Sequence, residues 1–330
     1  MPPLRRRLCT VPVAGLLAGL ALLAPVLAAT AEPPRPVPKV VTTVKPLHSL
    51  VAGVMAGLGE PELLLAGGGS PHAGSLRPSQ ARALEEAELV FWIGPELEAS
   101  LAKPLGALAG KARVIALTAA PGLELLEART GGAWEKADHE DDGQAPNGQQ
   151  SQQMEGQGRD PHLWLDPDNA RAIAPLAAAA LGEADPENAA RYALNAAAVA
   201  ARIEALDREL TARLAPLRDR PFIVFHDAYQ YLERHYNLTA VGAIAVAPGR
   251  APGARRLLEI RAKIETLGAV CLFSEPQFEP ALVKTVIGGT EARGGKLDPL
   301  GATLAAGPEA YFQLMRGLAD SLAACLAPAS

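Results

Sequence analysis

Leu89-Val90-Phe91-Trp92-Ile93 is an unbroken apolar run set between two segments of a different kind. Ahead of it, Pro78-Ser79-Gln80-Ala81-Arg82-Ala83-Leu84-Glu85-Glu86 carries a proline and a serine where a helix begins, then mixed polar and apolar spacing. Behind it, Arg113-Val114-Ile115-Ala116-Leu117 is a second short strand-like run. A strand without polar alternation is buried on both faces, and strands separated by helices pair in parallel through right-handed crossovers. The class that follows is α/β.

The same rhythm extends outward. Residues 39–44 and 62–66 are predicted strands with a helix at 47–58 between them, and Gly67-Gly68-Gly69 closes the second. After residue 217 the alternation restarts. Predicted strands at 222–225, 239–244 and 269–274 are interleaved with helices at 228–236, 252–267 and 280–287, and 310–326 is a closing helix. Between the halves lie two alanine-rich segments, 170–181 and 186–217. The second would span roughly 45 Å as a helix, long enough for a rigid strut. We therefore expect an N-terminal lobe at 32–185, a linking helix at 186–217 and a C-terminal lobe at 218–330. Residues 131–160 break the pattern. They are rich in Gly, Gln and acids and nearly devoid of apolar side chains, which predicts a mobile surface loop.

Residues 1–31 read as an export signal. Arg5-Arg6-Arg7 is its positive start, 8–27 its apolar stretch and Ala29-Thr30-Ala31 a small-residue cleavage site. Pro12, Gly15, Gly19 and Pro25 weaken the rival reading, an uncleaved membrane anchor. Cys9 precedes the apolar run instead of closing it, so it does not fit a lipidation site. Cleavage removes three arginines and no acid, which moves the net charge from −5 to −8. So acidic a chain is a poor partner for nucleic acid but compatible with attracting cations. Cys271 and Cys325 remain, and an even count in an oxidising compartment favours one disulfide over two buried thiols.

Four residues stand out for chemistry: His72 in Ser70-Pro71-His72, His162 in Asp160-Pro161-His162-Leu163-Trp164, His226 in Phe225-His226-Asp227-Ala228-Tyr229, and Asp298 in Leu297-Asp298-Pro299-Leu300-Gly301. Each sits at the end of an element, where open α/β sheets place their ligands. Three imidazoles and a carboxylate complete a tetrahedral shell for a borderline divalent metal, zinc above all. Two ligands from each half place the ion in the cleft between lobes. Glu275, at the end of a predicted strand, is a reserve ligand, and with Asp227 a candidate to fix an imidazole tautomer. His48 is expected to be structural, His139 and His235 solvated. The chain has no H-E-x-x-H pattern and no phosphate-binding G-x-x-x-x-G-K-[ST] loop. A secreted zinc hydrolase with Glu275 as base is the reading from another class.

Ser-Pro-His-x-x-x-Leu-Arg-Pro-Ser at 70–79, Asp-Pro-His-Leu-Trp-Leu-Asp-Pro at 160–167, Phe-His-Asp-Ala-Tyr at 225–229, Phe-Ser-Glu-Pro-Gln-Phe at 273–278 and Leu-Asp-Pro-Leu-Gly at 297–301 form an ordered set. The set closely resembles the zinc solute-binding proteins of bacterial high-affinity zinc ABC transporters, over nearly the whole mature chain. The resemblance implies two (βα)-rich lobes with mainly parallel sheets, a long joining helix and zinc in the cleft. It carries the ligand roles onto His72, His162 and His226, with Asp298 near or on the ion, and matches Cys271 and Cys325 to a disulfide. It further implies a monomeric periplasmic carrier, not an enzyme, that delivers Zn²⁺ to a membrane permease served by a separate ATPase subunit. Zinc members of the family often have a His-rich segment where 131–160 here offers only His139. Manganese members of the superfamily, the alternative, typically carry Glu at the position of His226, and a third imidazole favours Zn²⁺ over Mn²⁺.

Overall fold

The structure, a computed structural model, describes residues 37–66, 71–72, 76–129, 134, 158–244, 254–276 and 280–327. The expected export signal, His139 and most of 131–160 lie outside the described residues.

Strands β1 (Val40–Thr42), β2 (Glu62–Leu63), β3 (Leu89–Trp92) and β4 (Arg113–Ala116) form one sheet in the order β2-β1-β3-β4. Helices α1 (Lys45–Val54), α2 (Pro78–Glu86) and α3 (Ala99–Leu108) are its crossovers. Every pairing is parallel, with Val90 opposite Val41 on one side and Val114 on the other. A 3₁₀ turn at Leu163–Leu165 then leads into α4 (Pro167–Ala184) and α5 (Ala189–Leu214). Strands β5 (Phe222–Val224), β6 (Ala240–Ala243), β7 (Cys271–Ser274) and β8 (Arg293–Lys296) repeat the plan in the order β6-β5-β7-β8, again all parallel. Helices α6 (Gln230–Tyr236), α7 (Ala254–Thr266) and α8 (Pro280–Ile287) connect them, and α9 (Ala310–Leu326) closes the fold.

The inner strands β1, β3, β5 and β7 are buried on both faces, which is why they read as nearly continuous apolar runs. Val40, Leu89 and Phe91 join one core while Val41, Val90 and Trp92 join another on the opposite face. In the second sheet Phe222, Val224 and Phe273 face the shared core, and Ile223, Phe225 and Leu272 the outer one. The shared core is continuous through α5. Tyr192, Ala196, Val199, Ile203, Leu206, Leu210 and Leu214, spaced by three and four, form its buried stripe. Helix α1 approaches α5 at Gly53, where a Cβ would stand 2.7 Å from Val199 Cγ2. The long helix thus belongs to the packing of both sheets.

Two elements lie beyond the sequence reading. Helix α3 contains Pro104 and Gly106, which break the helical signal. Strand β8 reads Arg-Gly-Gly-Lys, without an apolar residue, and is held as an edge by β7. Gly295 is required there, since a Cβ would lie 2.4 Å from the Phe273 ring. The disulfide joins Cys271 on β7 to Cys325 on α9, Cα atoms 6.2 Å apart. Each sheet reverses its strand order at its central pair, β1/β3 or β5/β7, which opens a crevice at the strands' carboxyl ends.

Candidate metal centre

His226 lies two residues past β5 and Glu275 directly follows β7, so the switch point of the second sheet carries both. Glu275 Oε1 is 3.1 Å from His226 Nδ1. His162 opens the 3₁₀ turn Leu163–Leu165. Asp160 Oδ1 accepts its backbone N–H at 2.9 Å and lies 2.8 Å from its Nδ1. An ionised carboxylate only accepts, so in each pair the imidazole proton belongs on Nδ1 and the lone pair on Nε2. This is the carboxylate–histidine arrangement that readies a ring to bind a metal.

His72 joins these two. Ligand atoms of His72, His162 and His226 all lie within 4.8 Å of one another. The ring centroids are 5.8 Å (His72–His162), 5.4 Å (His72–His226) and 5.0 Å (His162–His226) apart. The depth is graded: His162 is buried, His226 intermediate and His72 exposed. The donor set suits zinc, because three nitrogen donors with one open position is a common tetrahedral plan. Burial works to lower the His226 pKa, but its hydrogen bond to Glu275 and the charges of Glu275, Asp227 and Asp160 outweigh that and raise it. The acidic surround that tightens the ring's hold on a proton attracts a divalent cation as well.

Asp298 is placed differently. Its carboxylate accepts the backbone N–H groups of Leu300 at 3.2 Å and Ala302 at 2.7 Å, and it is not among the donors converging within 4.8 Å. Burial raises its pKa against those hydrogen bonds. The turn that carries it is pinned from the first lobe. Lys45 Nζ donates to the carbonyls of Gly301 (2.6 Å), Ala302 (3.0 Å) and Leu304 (2.7 Å), and Trp164 Nε1 to that of Pro299 (2.8 Å). Asp227, a candidate tautomer partner, is gripped by Arg129 through Nε at 3.1 Å and through Nη2. The same guanidinium holds Glu233 at 2.6 Å.

The sequence reading singled out neither Arg129 nor the role of Asp160. Asp160 had a signal, standing two residues before His162 across a proline. The backbone around it is tied down: Ala128 N–H donates to Gly158 O (2.7 Å) and Asp160 N–H to Leu126 O (2.8 Å). Tyr231 hydroxyl accepts from Leu126 N–H at 3.0 Å and donates to Asp160 O at 2.9 Å, linking this neck to α6.

The remaining histidines divide. His48 is buried, with Nε2 3.0 Å from Pro61 O, a structural role as expected. His235 was expected to be solvated, and that is corrected: its side chain is only 17% exposed. Its Nε2 lies 2.8 Å from Asp207 and its Nδ1 3.1 Å from Asp166. Burial would depress its pKa, but those two aspartates push it up to about 9. His235, Asp166 and Asp168 form a second convergent donor group, in which the imidazolium itself is the cation. A groove of about 930 Å³ between α4 and α5 is lined chiefly by alanines, and no histidine lines it.

The chain is similar to known zinc-uptake proteins. The family described as "ZnuA: Zinc-uptake complex component A periplasmic" matches residues 40–325. The high-affinity zinc uptake system protein ZnuA of Brucella abortus (strain 2308) is 48% identical over 304 residues, 87% of this chain and 91% of that protein. Its counterpart in Paracoccus denitrificans (strain Pd 1222) is 40% identical over 316 residues, 92% and 97% of the two chains. A crystal structure of ZnuA superposes with a TM-score of 0.69 at 27% identity, covering 88% of this chain and all of that one. A zinc-bound ZnuA with residues 138–173 deleted gives 0.69 at 26% identity, covering 89% and 100%. The chain belongs to the ZnuA family of periplasmic zinc-uptake components.

Proposed function

We propose that this protein captures Zn²⁺ in the periplasm and hands it to the membrane permease of an ABC transporter, whose separate ATPase subunit supplies the energy. The observation that carries the reading is the convergence of His72, His162 and His226 within 4.8 Å, with two of the rings held by carboxylates. His72, His162 and His226 are the nitrogen ligands, and Asp298 stands near the ion as the carboxylate of the opposing turn. The lobes are 32–185 and 218–330, joined through 186–217, and one monomer carries one ion in the cleft between them. Residues 1–31 are the export signal, and it is cleaved from the mature protein.

The family role is solute binding for transport, so the ion is cargo. Three imidazoles set the choice of cargo, because Mn²⁺ prefers oxygen donors and Zn²⁺ accepts nitrogen readily. The test is native mass spectrometry of chelator-stripped protein offered equimolar Zn²⁺ and Mn²⁺. One zinc retained with manganese excluded is the expected result. A preference for manganese, or several loosely held ions, would overturn the reading.

A further inference from the structure

Arg129 reaches from the first lobe to the second, where its guanidinium meets two carboxylates at once. Nε lies 3.1 Å from Asp227 Oδ2 and Nη2 bonds the other oxygen of Asp227, a two-point fork. Nη1 stands 2.6 Å and Nη2 3.0 Å from the two oxygens of Glu233 on α6. The guanidinium carbon also lies 3.4 Å from the centre of the Trp134 ring, which covers one of its faces. Side-chain exposure is 18% for Arg129, 22% for Asp227 and 8% for Glu233, so these contacts are screened far less than a surface pair. A planar group with fixed N–H directions, gripped on two edges and one face, has one position available to it.

That position bears on two of the three convergent histidines. Asp227 is the residue next to His226. On the other side, the backbone beside Arg129 is laddered to the backbone beside Asp160. Ala128 N–H donates to Gly158 O at 2.7 Å, Asp160 N–H to Leu126 O at 2.8 Å, and Glu127 pairs antiparallel with Arg159. Asp160 in turn fixes His162. One short ladder therefore reaches His162 through Asp160 and His226 through Arg129 and Asp227. We infer that Arg129 is a positioning residue for zinc capture, one that fixes where His226 stands relative to His162 across the two lobes. This rests on the zinc-carrier reading above. Donors whose spacing the protein itself holds need not be ordered by the ion, so affinity gains what that ordering would cost. The Glu124–Arg234 pair crosses from the same segment to α6 at 2.5 Å, but both side chains are more than half exposed and neither adjoins a convergent histidine.

The experiment compares Arg129→Lys, Glu233→Gln, Arg234→Gln and His226→Ala with wild type. The readouts are zinc affinity against a competing chelator, the visible spectrum of the Co²⁺ form, and thermal unfolding without metal. Arg129→Lys keeps the charge but not the two forks, and should lose about tenfold in zinc affinity, at the low end for an outer partner of a ligating histidine. Its Co²⁺ bands should shift. Glu233→Gln leaves the Asp227 fork in place and should lose roughly threefold. Arg234→Gln should stay within about twofold of wild type. Where Arg129→Lys does not fold, Glu233→Gln decides on the same readouts. Wild-type affinity and unchanged Co²⁺ bands, even with lowered metal-free stability, would make Arg129 a purely structural ion pair and overturn the inference. Equal losses in Arg129→Lys and Arg234→Gln would overturn it too, by assigning the effect to the whole seam. If His226→Ala binds zinc as wild type does, the three-histidine site itself is wrong, an outcome separable from a failure confined to Arg129.

Discussion

Asp160 holds His162 twice with one oxygen: Oδ1 accepts the backbone N–H at 2.9 Å and meets Nδ1 at 2.8 Å. Both groups are buried, so the imidazole has one orientation and one tautomer available to it. Asp160→Asn would replace a pure acceptor by an amide that both donates and accepts, loosening that choice. We expect zinc affinity to fall roughly 10–100-fold, the usual effect of losing a carboxylate behind a ligating histidine. Competition with a chromophoric chelator would measure it. An affinity within twofold of wild type would show that Asp160 serves only the backbone.

His226 and His139 give opposite expectations. His226→Ala removes one of three convergent nitrogens and should abolish high-affinity binding, by 100-fold or more in order of magnitude. His139→Ala should change affinity little. In the wild type, zinc competes with the second proton that would convert a ligating imidazole to imidazolium. The pKa of His226 is raised above the usual 6.5 because Glu275, Asp227 and Asp160 outweigh burial. As pH falls through that range the protonated ring gains population and zinc is lost, so affinity should drop steeply from neutral pH to about 5. Isothermal titration across that interval tests the sign. A flat profile, or equal losses in the two variants, would remove the histidines from the site.

What could be read in the sequence follows from burial. Leu89–Trp92 declared itself because parallel strands covered on both faces have no polar positions to confuse the pattern. Strand β8 could not, since Arg-Gly-Gly-Lys owes its conformation to β7 and to the space Phe273 needs. His72, His162 and His226 could be chosen because each ends an element beside a turn former. Asp298 has a second part that its sequence context also signals: an aspartate before Pro-Leu-Gly is a turn former, and its carboxylate accepts the backbone N–H groups of Leu300 and Ala302. Nothing near His235 in the sequence announces Asp166 and Asp207, which helix packing alone brings to it.

The disulfide offers a test of the second lobe. Cys271 on β7 and Cys325 on α9 close a loop of 54 residues in sequence separation. On the chain-entropy model such a loop restricts the unfolded chain by about 4 kcal/mol. Cys271→Ser with Cys325→Ser, or reduction, should lower unfolding stability on that scale while the three histidines, on other segments, still bind one zinc. Chemical denaturation in the presence and absence of reductant checks this. Indistinguishable midpoints would mean that packing of Leu318, Leu322 and Leu326 already holds α9 without the bond.

His235 links three helices through charge. It sits on α6, between Asp166 at the start of α4 and Asp207 on α5. Its folded pKa of about 9 exceeds the ordinary value of 6.5, so the folded state binds its proton more tightly than the unfolded chain. The resulting stabilisation is complete below pH 6.5 and disappears as pH rises through 9. Allowing for partial solvent access, we expect roughly 2 kcal/mol. His235→Asn should remove this term, so its deficit against wild type should be largest near pH 6 and shrink above pH ~9. Thermal unfolding across that range measures the deficit, and NMR of the imidazole nitrogens gives the titration directly. A ring that titrates near 6.5, or a deficit that grows with pH, would contradict the clamp and return His235 to the solvated role its sequence context implied.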